Sequence, residues 1–229
     1  MNSDEALAWA KQNKKQIIDQ IIRTSGAEPS DAPSGIFMAG LPGAGKTELS
    51  RALIEISGTS PVRIDMDELA TFIDGYEPEN ADQFRLAGSM LLAELFSKVL
   101  KNRLDFVMDG TFSSKNAELN IKRALKRGYK IKVVYAHQDP KLAWEFTKAR
   151  EKVEHRSIEF NGFIETYYKA INNLKTISKQ FDSQIKLSIA FKTPANKVGR
   201  WEENIINGQI DELIKVEYNK DKLIKYIKG

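Results

Sequence analysis

The stretch "MAGLPGAGKTELSRALI" (38–54) constrains this chain more than any other. It holds Gly40, Gly45, Lys46 and Thr47 at the spacing G-x-x-x-x-G-K-T, the pattern of a loop that wraps a phosphate. Glycines allow close backbone approach, and the amides of the loop and of the following helix point at the anion. Gly40, Leu41, Pro42, Gly43, Ala44, Gly45, Lys46 and Thr47 form the loop, and Glu48 opens the helix. Lys46 is placed to reach the β- and γ-phosphates, and the Thr47 hydroxyl to ligate Mg²⁺. At ordinary residue frequencies roughly one chain in a hundred of this length would match by accident. The context argues against accident: apolar "GIFMAG" (35–40) precedes the loop, and an amphipathic helix from about Lys46 to Ile56 follows it. No N-K-x-D sequence reads a guanine, so ATP is the expected nucleotide.

The rest of the chain alternates in the same way. Short apolar strands are expected at "PVRID" (61–65), "LDFVMDG" (104–110), "YKIKVVYA" (129–136) and "IKLSIAF" (185–191). Helical periodicity appears in 4–23, in 82–103, in about 114–127, from the Asp139-Pro140 cap pair to about Arg150, and again from Phe160 onward. Such alternation predicts a three-layer α/β fold with a parallel sheet and helices on both faces. Residues 1–33 read as an N-terminal helix and linker, and 34–192 as the nucleotide-binding core. A polar break near 150–159 fits a lid, and 193–229 reads as a helical extension packed on the core.

Composition narrows the class. Hydrophobic residues make up 41% of 229, enough for a substantial core. The formal charge of +4 suits an anionic small molecule as well as a nucleic acid. The lysine-rich tail carries Ile214, Leu223, Ile224 and Ile227, so it reads as a solvated helix face rather than a nucleic-acid contact. The absence of cysteine excludes disulfides and cysteine-bound zinc. No apolar run approaches a membrane span, and the first residues carry no secretory pattern, so a cytoplasmic protein is expected.

Acids fall where chemistry would need them. "RIDMDEL" sets Asp65 and Asp67 just past the second strand, beyond the carboxyl end of a parallel sheet, where ligands bind. One of the two is expected to cap the next helix, and Asp67 is the candidate general base toward an acceptor hydroxyl. "FVMDGTF" ends the third strand in Asp109, followed by Gly110 and Thr111, at the position where an acid holds Mg²⁺ or contacts the acceptor. Which of the two Asp109 does is open at this point. Arg150 and Arg156 flank the polar break, where they could close on a transferring phosphate or simply pair with Glu151, Glu154 and Glu159.

The order G-x-P-G-A-G-K-T, I-D-x-D, D-G-T, A-R-E and H-R, followed by a Phe-Ile…Tyr-Tyr helix, resembles the zeta toxin family of P-loop kinases over about residues 34–180. The resemblance implies a five-stranded sheet of order 2-3-1-4-5 and transfer of the γ-phosphate of ATP, with Mg²⁺, to a hydroxyl. It implies a nucleotide-sugar acceptor, the amino-sugar 3-hydroxyl of UDP-N-acetylglucosamine, and a proteinaceous antitoxin as partner. By this match Asp67 is the base, Asp109 and Thr111 meet the acceptor, and Arg150 and Arg156 are the lid arginines. The acid before Gly-Thr is often Glu in the best-known members and is the shorter Asp109 here. Two other readings stand beside this one: a kinase of polynucleotide ends or another metabolite, and an NTP-driven switch without an acceptor.

Overall fold

The computed structural model describes residues 1–155, 157–206, 208–214 and 218–229. Its centre is a sheet of order β2-β3-β1-β4-β5-β6. The strands are β1 (Ser34–Gly40), β2 (Val62–Asp65), β3 (Phe106–Asp109), β4 (Lys130–His137), β5 (Ile185–Lys192) and β6 (Val198–Glu202). The first five are parallel in the expected order, and β6 adds an antiparallel edge to β5. Because β1 lies between β3 and β4, it is buried from Phe37 to Gly40 and reads as a continuous apolar run.

Helices cover both faces. They are α1 (Ser3–Ser25), α2 (Lys46–Ser57), α3 (Met66–Ala70), α4 (Ala81–Lys101), α5 (Ala117–Leu125), α6 (Pro140–Glu154), α7 (Phe160–Phe181), α8 (Gln209–Leu213) and α9 (Lys220–Lys228). A capping box starts α1: the Asn2 side chain accepts from the Asp4 and Glu5 amides, and Glu5 accepts from the Asn2 amide. Ala6 and Ala10 are fully buried, and such small side chains let α1 lie close against α4. From the other side of that contact, α4 sends Phe84, Leu91, Leu95 and Phe96 into the core. There the rings of Phe37, Phe96 and Phe106 pack edge to face at 5.3–6.2 Å, which favours one core arrangement beyond simple area burial.

Two stretches differ from the sequence expectation. Residues 193–229 read from the sequence as a helical extension; they contain β6 ahead of α8 and α9, and its "VGRWE" is exposed or half-exposed and shows no buried alternation to betray a strand. Also, α6 does not stop near Arg150 but runs to Glu154 and ends at His155 with φ 57. Its last turns are polar, and side-chain pairs at helical spacing hold them, Arg150 with Glu154 and Lys148 with Glu151. The break between α6 and α7 is therefore shorter than expected, and Arg156 within it lies outside the described residues. The C-terminal helix α9 buries Leu223 and Ile227 against α6 and α7, and the Tyr226 hydroxyl donates to Asp139 Oδ2 at 2.8 Å.

Candidate active site

The phosphate loop leaves β1 and turns directly into α2. Gly45 takes φ 70 as it enters the helix. Gly43 has φ 75, and a Cβ there would sit 2.1 Å from the Ala143 carbonyl oxygen and 2.7 Å from Thr147 Oγ1. The loop is thus clamped beneath α6, and only glycine fits at 43. Lys46 Nζ donates to the Leu41 carbonyl at 2.6 Å. Burial lowers the Lys46 pKa to about 8, with the Arg150 charge acting in the same direction and Asp109, Asp65 and Asp67 opposing it.

A clasp from beyond the expected core also holds the loop. Asn196, in the turn between β5 and β6, donates from Nδ2 to the Gly43 carbonyl at 3.2 Å. Gln138, buried at the end of β4, donates to the Thr193 carbonyl at 3.0 Å and to Asn196 Oδ1 at 3.3 Å. The phosphate loop, β4 and the β5–β6 turn are therefore tied together, so residues just past 192 belong to the site.

The strand ends supply the acids. Asp65 and Asp109 are register partners across β2 and β3. Asp65 Oδ1 accepts from the Asp67 amide at 2.9 Å and is the N-cap of α3, which leaves Asp67 in the first turn facing the cleft. Asp109 is 6% exposed, and its Oδ2 accepts from Ser50 Oγ at 3.2 Å. Burial raises its pKa and Asp65 adds to the rise, against the pull of Lys46 and Arg63. Thr111 shares a hydrogen bond with Ser113 through the hydroxyls, and its carbonyl accepts from the Gly40 amide at 3.3 Å.

Arg63 joins these acids. It lies two residues before Asp65 on β2, so both side chains leave the same face. Its Nη2 donates to Asp109 Oδ2 at 2.7 Å and to Asp65 Oδ2 at 3.0 Å. Its Nε lies 3.3 Å from Glu68 Oε2 but is not aligned to donate.

These groups line a cleft of about 790 Å³ that brings together Lys46, Thr47, Asp65, Asp67, Asp109, Thr111 and Arg150, with Pro42 and Gly43 of the loop. A smaller cavity of about 260 Å³ adjoins it, and Asp67, Tyr76, Pro78 and Ile158 line both. Gly40, Leu41, Ala44 and Gly45 shape the loop from behind, and the described lining does not include Glu48, which is exposed on α2. Arg85 lines the second cavity from α4, with Asp82 3.5 Å away. His137 does not line this cleft: burial lowers its pKa, and its ring packs edge to face on Phe191 at 5.3 Å. Sequence reasoning missed Arg63, Ser50, Gln138 and Asn196. Only Arg63 left a signal, its place two residues before Asp65 on one strand face.

A glycine loop between β1 and α2, acids at the ends of β2 and β3, and this strand order together define a P-loop kinase fold. A family model described as Zeta toxin matches residues 18–205, and the chain belongs to that family. Among solved structures, it is similar to a chain from the PezAT chromosomal toxin–antitoxin system of Streptococcus pneumoniae. That match has 15% identity and a TM-score of 0.72, covering 95% of this chain and 94% of that one. It is also similar to a chain of the AvrRxo1-ORF1:AvrRxo1-ORF2 complex, with 14% identity and a TM-score of 0.60 over 93% of this chain and 71% of the other. The same complex with ATP gives 15% identity and a TM-score of 0.58, over 99% and 71%. No curated protein matches. No helix among the described residues is long and apolar enough to cross a membrane.

Proposed function

We propose that this chain transfers the γ-phosphate of ATP to a hydroxyl of a small-molecule acceptor, with a nucleotide sugar of the UDP-N-acetylglucosamine kind as the acceptor, and acts as a toxin. The position of Asp67 on the wall shared by the two cavities carries the reading. Phosphates held on the glycine loop and a hydroxyl entering from the second cavity would meet beside this carboxylate. Asp67 would take the hydroxyl proton as the new P–O bond forms and the bond to the leaving ADP breaks. Lys46 would hold the β- and γ-phosphates, and Arg150 would stabilise charge on the migrating group. Arg156 takes its proposed role from the family match alone.

The donor set fits Mg²⁺. Thr47 and Asp109 offer hard oxygens, and no cluster of three or more metal-binding side chains occurs among the described residues. An ion held by one or two protein oxygens and completed by phosphate and water is the usual arrangement for Mg²⁺ in such sites. When bound, Mg²⁺ would neutralise charge on the β- and γ-oxygens. Asp109 and Thr111 would also border the acceptor.

The neighbours from a toxin–antitoxin system and a two-protein complex support a protein antitoxin as partner, and the neighbour solved with ATP supports ATP as donor. A reaction that consumes ATP and a nucleotide sugar belongs in the cytoplasm. The test is incubation with ATP, Mg²⁺ and UDP-N-acetylglucosamine, read by mass spectrometry. Gain of one phosphate on the sugar nucleotide is the expected result. ADP release at the same rate without any acceptor would overturn the reading.

A further inference from the structure

Arg63 lies outside every motif of the family resemblance, yet it makes the shorter of the two hydrogen bonds to Asp109. The register of β2 and β3 forces Asp65 and Asp109 side by side on the floor of the cleft. Two carboxylates so placed repel each other and attract a cation, and here a guanidinium Nη2 sits between them at 2.7 and 3.0 Å. The described cleft lining carries more carboxylates than basic side chains, so without Arg63 its floor would favour small cations over a polyphosphate. Both hydrogen bonds to Asp109 fall on Oδ2, and none reaches Oδ1 among the described residues. Arg63 therefore neutralises the carboxylate pair and also fixes which oxygen of Asp109 is left for the cleft.

We propose that Arg63 is a positioning residue that makes divalent-cation capture depend on the nucleotide. It satisfies the Asp65–Asp109 pair so that the pair does not bind a cation alone, and it leaves Asp109 Oδ1 for a cation that arrives with phosphate. The inference rests on the reading of Thr47 and Asp109 as the metal-holding residues.

The test uses Mn²⁺ as the probe, with binding followed by electron paramagnetic resonance with and without a non-hydrolysable ATP analogue. Wild type is expected to bind Mn²⁺ weakly alone and much more tightly with the analogue. In Arg63→Met, removal of a charge at hydrogen-bond distance is expected to raise analogue-free Mn²⁺ affinity by about tenfold or more. Adding Asp109→Asn to that variant is expected to abolish the gain, which a role confined to holding β2 against β3 does not require. Arg63→Lys keeps the charge but lacks the planar fork, so its affinity falls between the two. It stands in for the methionine variant if circular dichroism shows that protein unfolded. Equal analogue-free affinity in wild type and the variants overturns the proposal, as does tight Mn²⁺ binding by wild type alone. Failure of wild type to bind Mn²⁺ even with the analogue overturns the metal reading instead.

Discussion

Arg63 Nη2 and Asp109 Oδ2 lie 2.7 Å apart across 46 residues of sequence. The contact joins the end of β2 to the end of β3 at the floor of the cleft, and through Ser50 it reaches α2 just behind the phosphate loop. Lys46 feels the charges of Asp109, Asp65 and Asp67, so the loop lysine, the candidate base and the candidate metal acid share one electrostatic unit rather than three independent motifs.

Lys46 gives that unit a pH dependence. With its pKa lowered to about 8 by burial, it is charged below that value and loses its charge as the pH rises through it. Asp109, Asp65 and Asp67 favour the charged form, and Arg150 disfavours it. A bound polyphosphate favours the charged form further, so ATP affinity is expected to fall above about pH 8. Binding at about pH 9 should then take up close to one proton. Calorimetry in buffers of different ionisation enthalpy measures the uptake. Affinity flat from about pH 7 to 9.5 would contradict the lowered pKa.

Asn196→Ala removes the hydrogen bond from the β5–β6 turn to the Gly43 carbonyl. It also takes away the Oδ1 that accepts from Gln138, which keeps its bond to the Thr193 carbonyl. Loss of the bond to the loop, about 0.5–1.5 kcal/mol, should raise the KM for ATP roughly two- to tenfold. Asn196 is half-buried beside exposed Ala195 and Lys197, so the melting temperature should fall by no more than a few degrees. An unchanged KM would show that the loop keeps its shape without the clasp.

Gly43→Ala meets the Ala143 carbonyl at 2.1 Å in a left-handed conformation. The loop or α6 must shift to admit it, so ATP binding should be lost even where the protein still folds. Equilibrium dialysis with labelled ATP reads this, and wild-type affinity in the variant would mean that α6 does not clamp the loop.

Phe106→Ala empties the place where β3 meets the Phe37 and Phe96 rings. A fully buried aromatic costs about 3–5 kcal/mol when truncated, so chemical denaturation should show a loss of that order. A loss under about 1 kcal/mol would contradict this packing.

Much of this site was legible because its parts are local. The loop needs glycines at fixed spacing, Asp139-Pro140 announces α6, and an acid after a buried strand marks the cleft edge. Asp139 does cap α6, accepting from the Lys141 and Leu142 amides at 2.9 and 3.0 Å. The choice between Asp65 and Asp67 as cap needed coordinates, since either spacing suits a helix start. Other features depend on contacts that no local pattern encodes. Asn196 sits in "TPANK", which reads only as a turn, and its partner Gly43 lies 153 residues away. β6 is an exposed edge strand held by pairing to β5, so burial periodicity has nothing to mark it. The last turns of α6 are polar and carry side-chain pairs at helical spacing, a signal that apolar spacing alone does not read.

Asp67 is the proposed base at the junction of the two cavities, and the most direct measurement is acceptor-dependent ADP release by Asp67→Asn beside ATP binding by the same protein. The substitution keeps the size of the side chain and removes its basicity. Transfer is expected to fall by about a hundredfold to ten-thousandfold, the usual contribution of a general base, while ATP affinity stays within about twofold. Wild-type transfer in the variant, or equal loss of transfer and ATP binding, would contradict the assignment of Asp67 as the base.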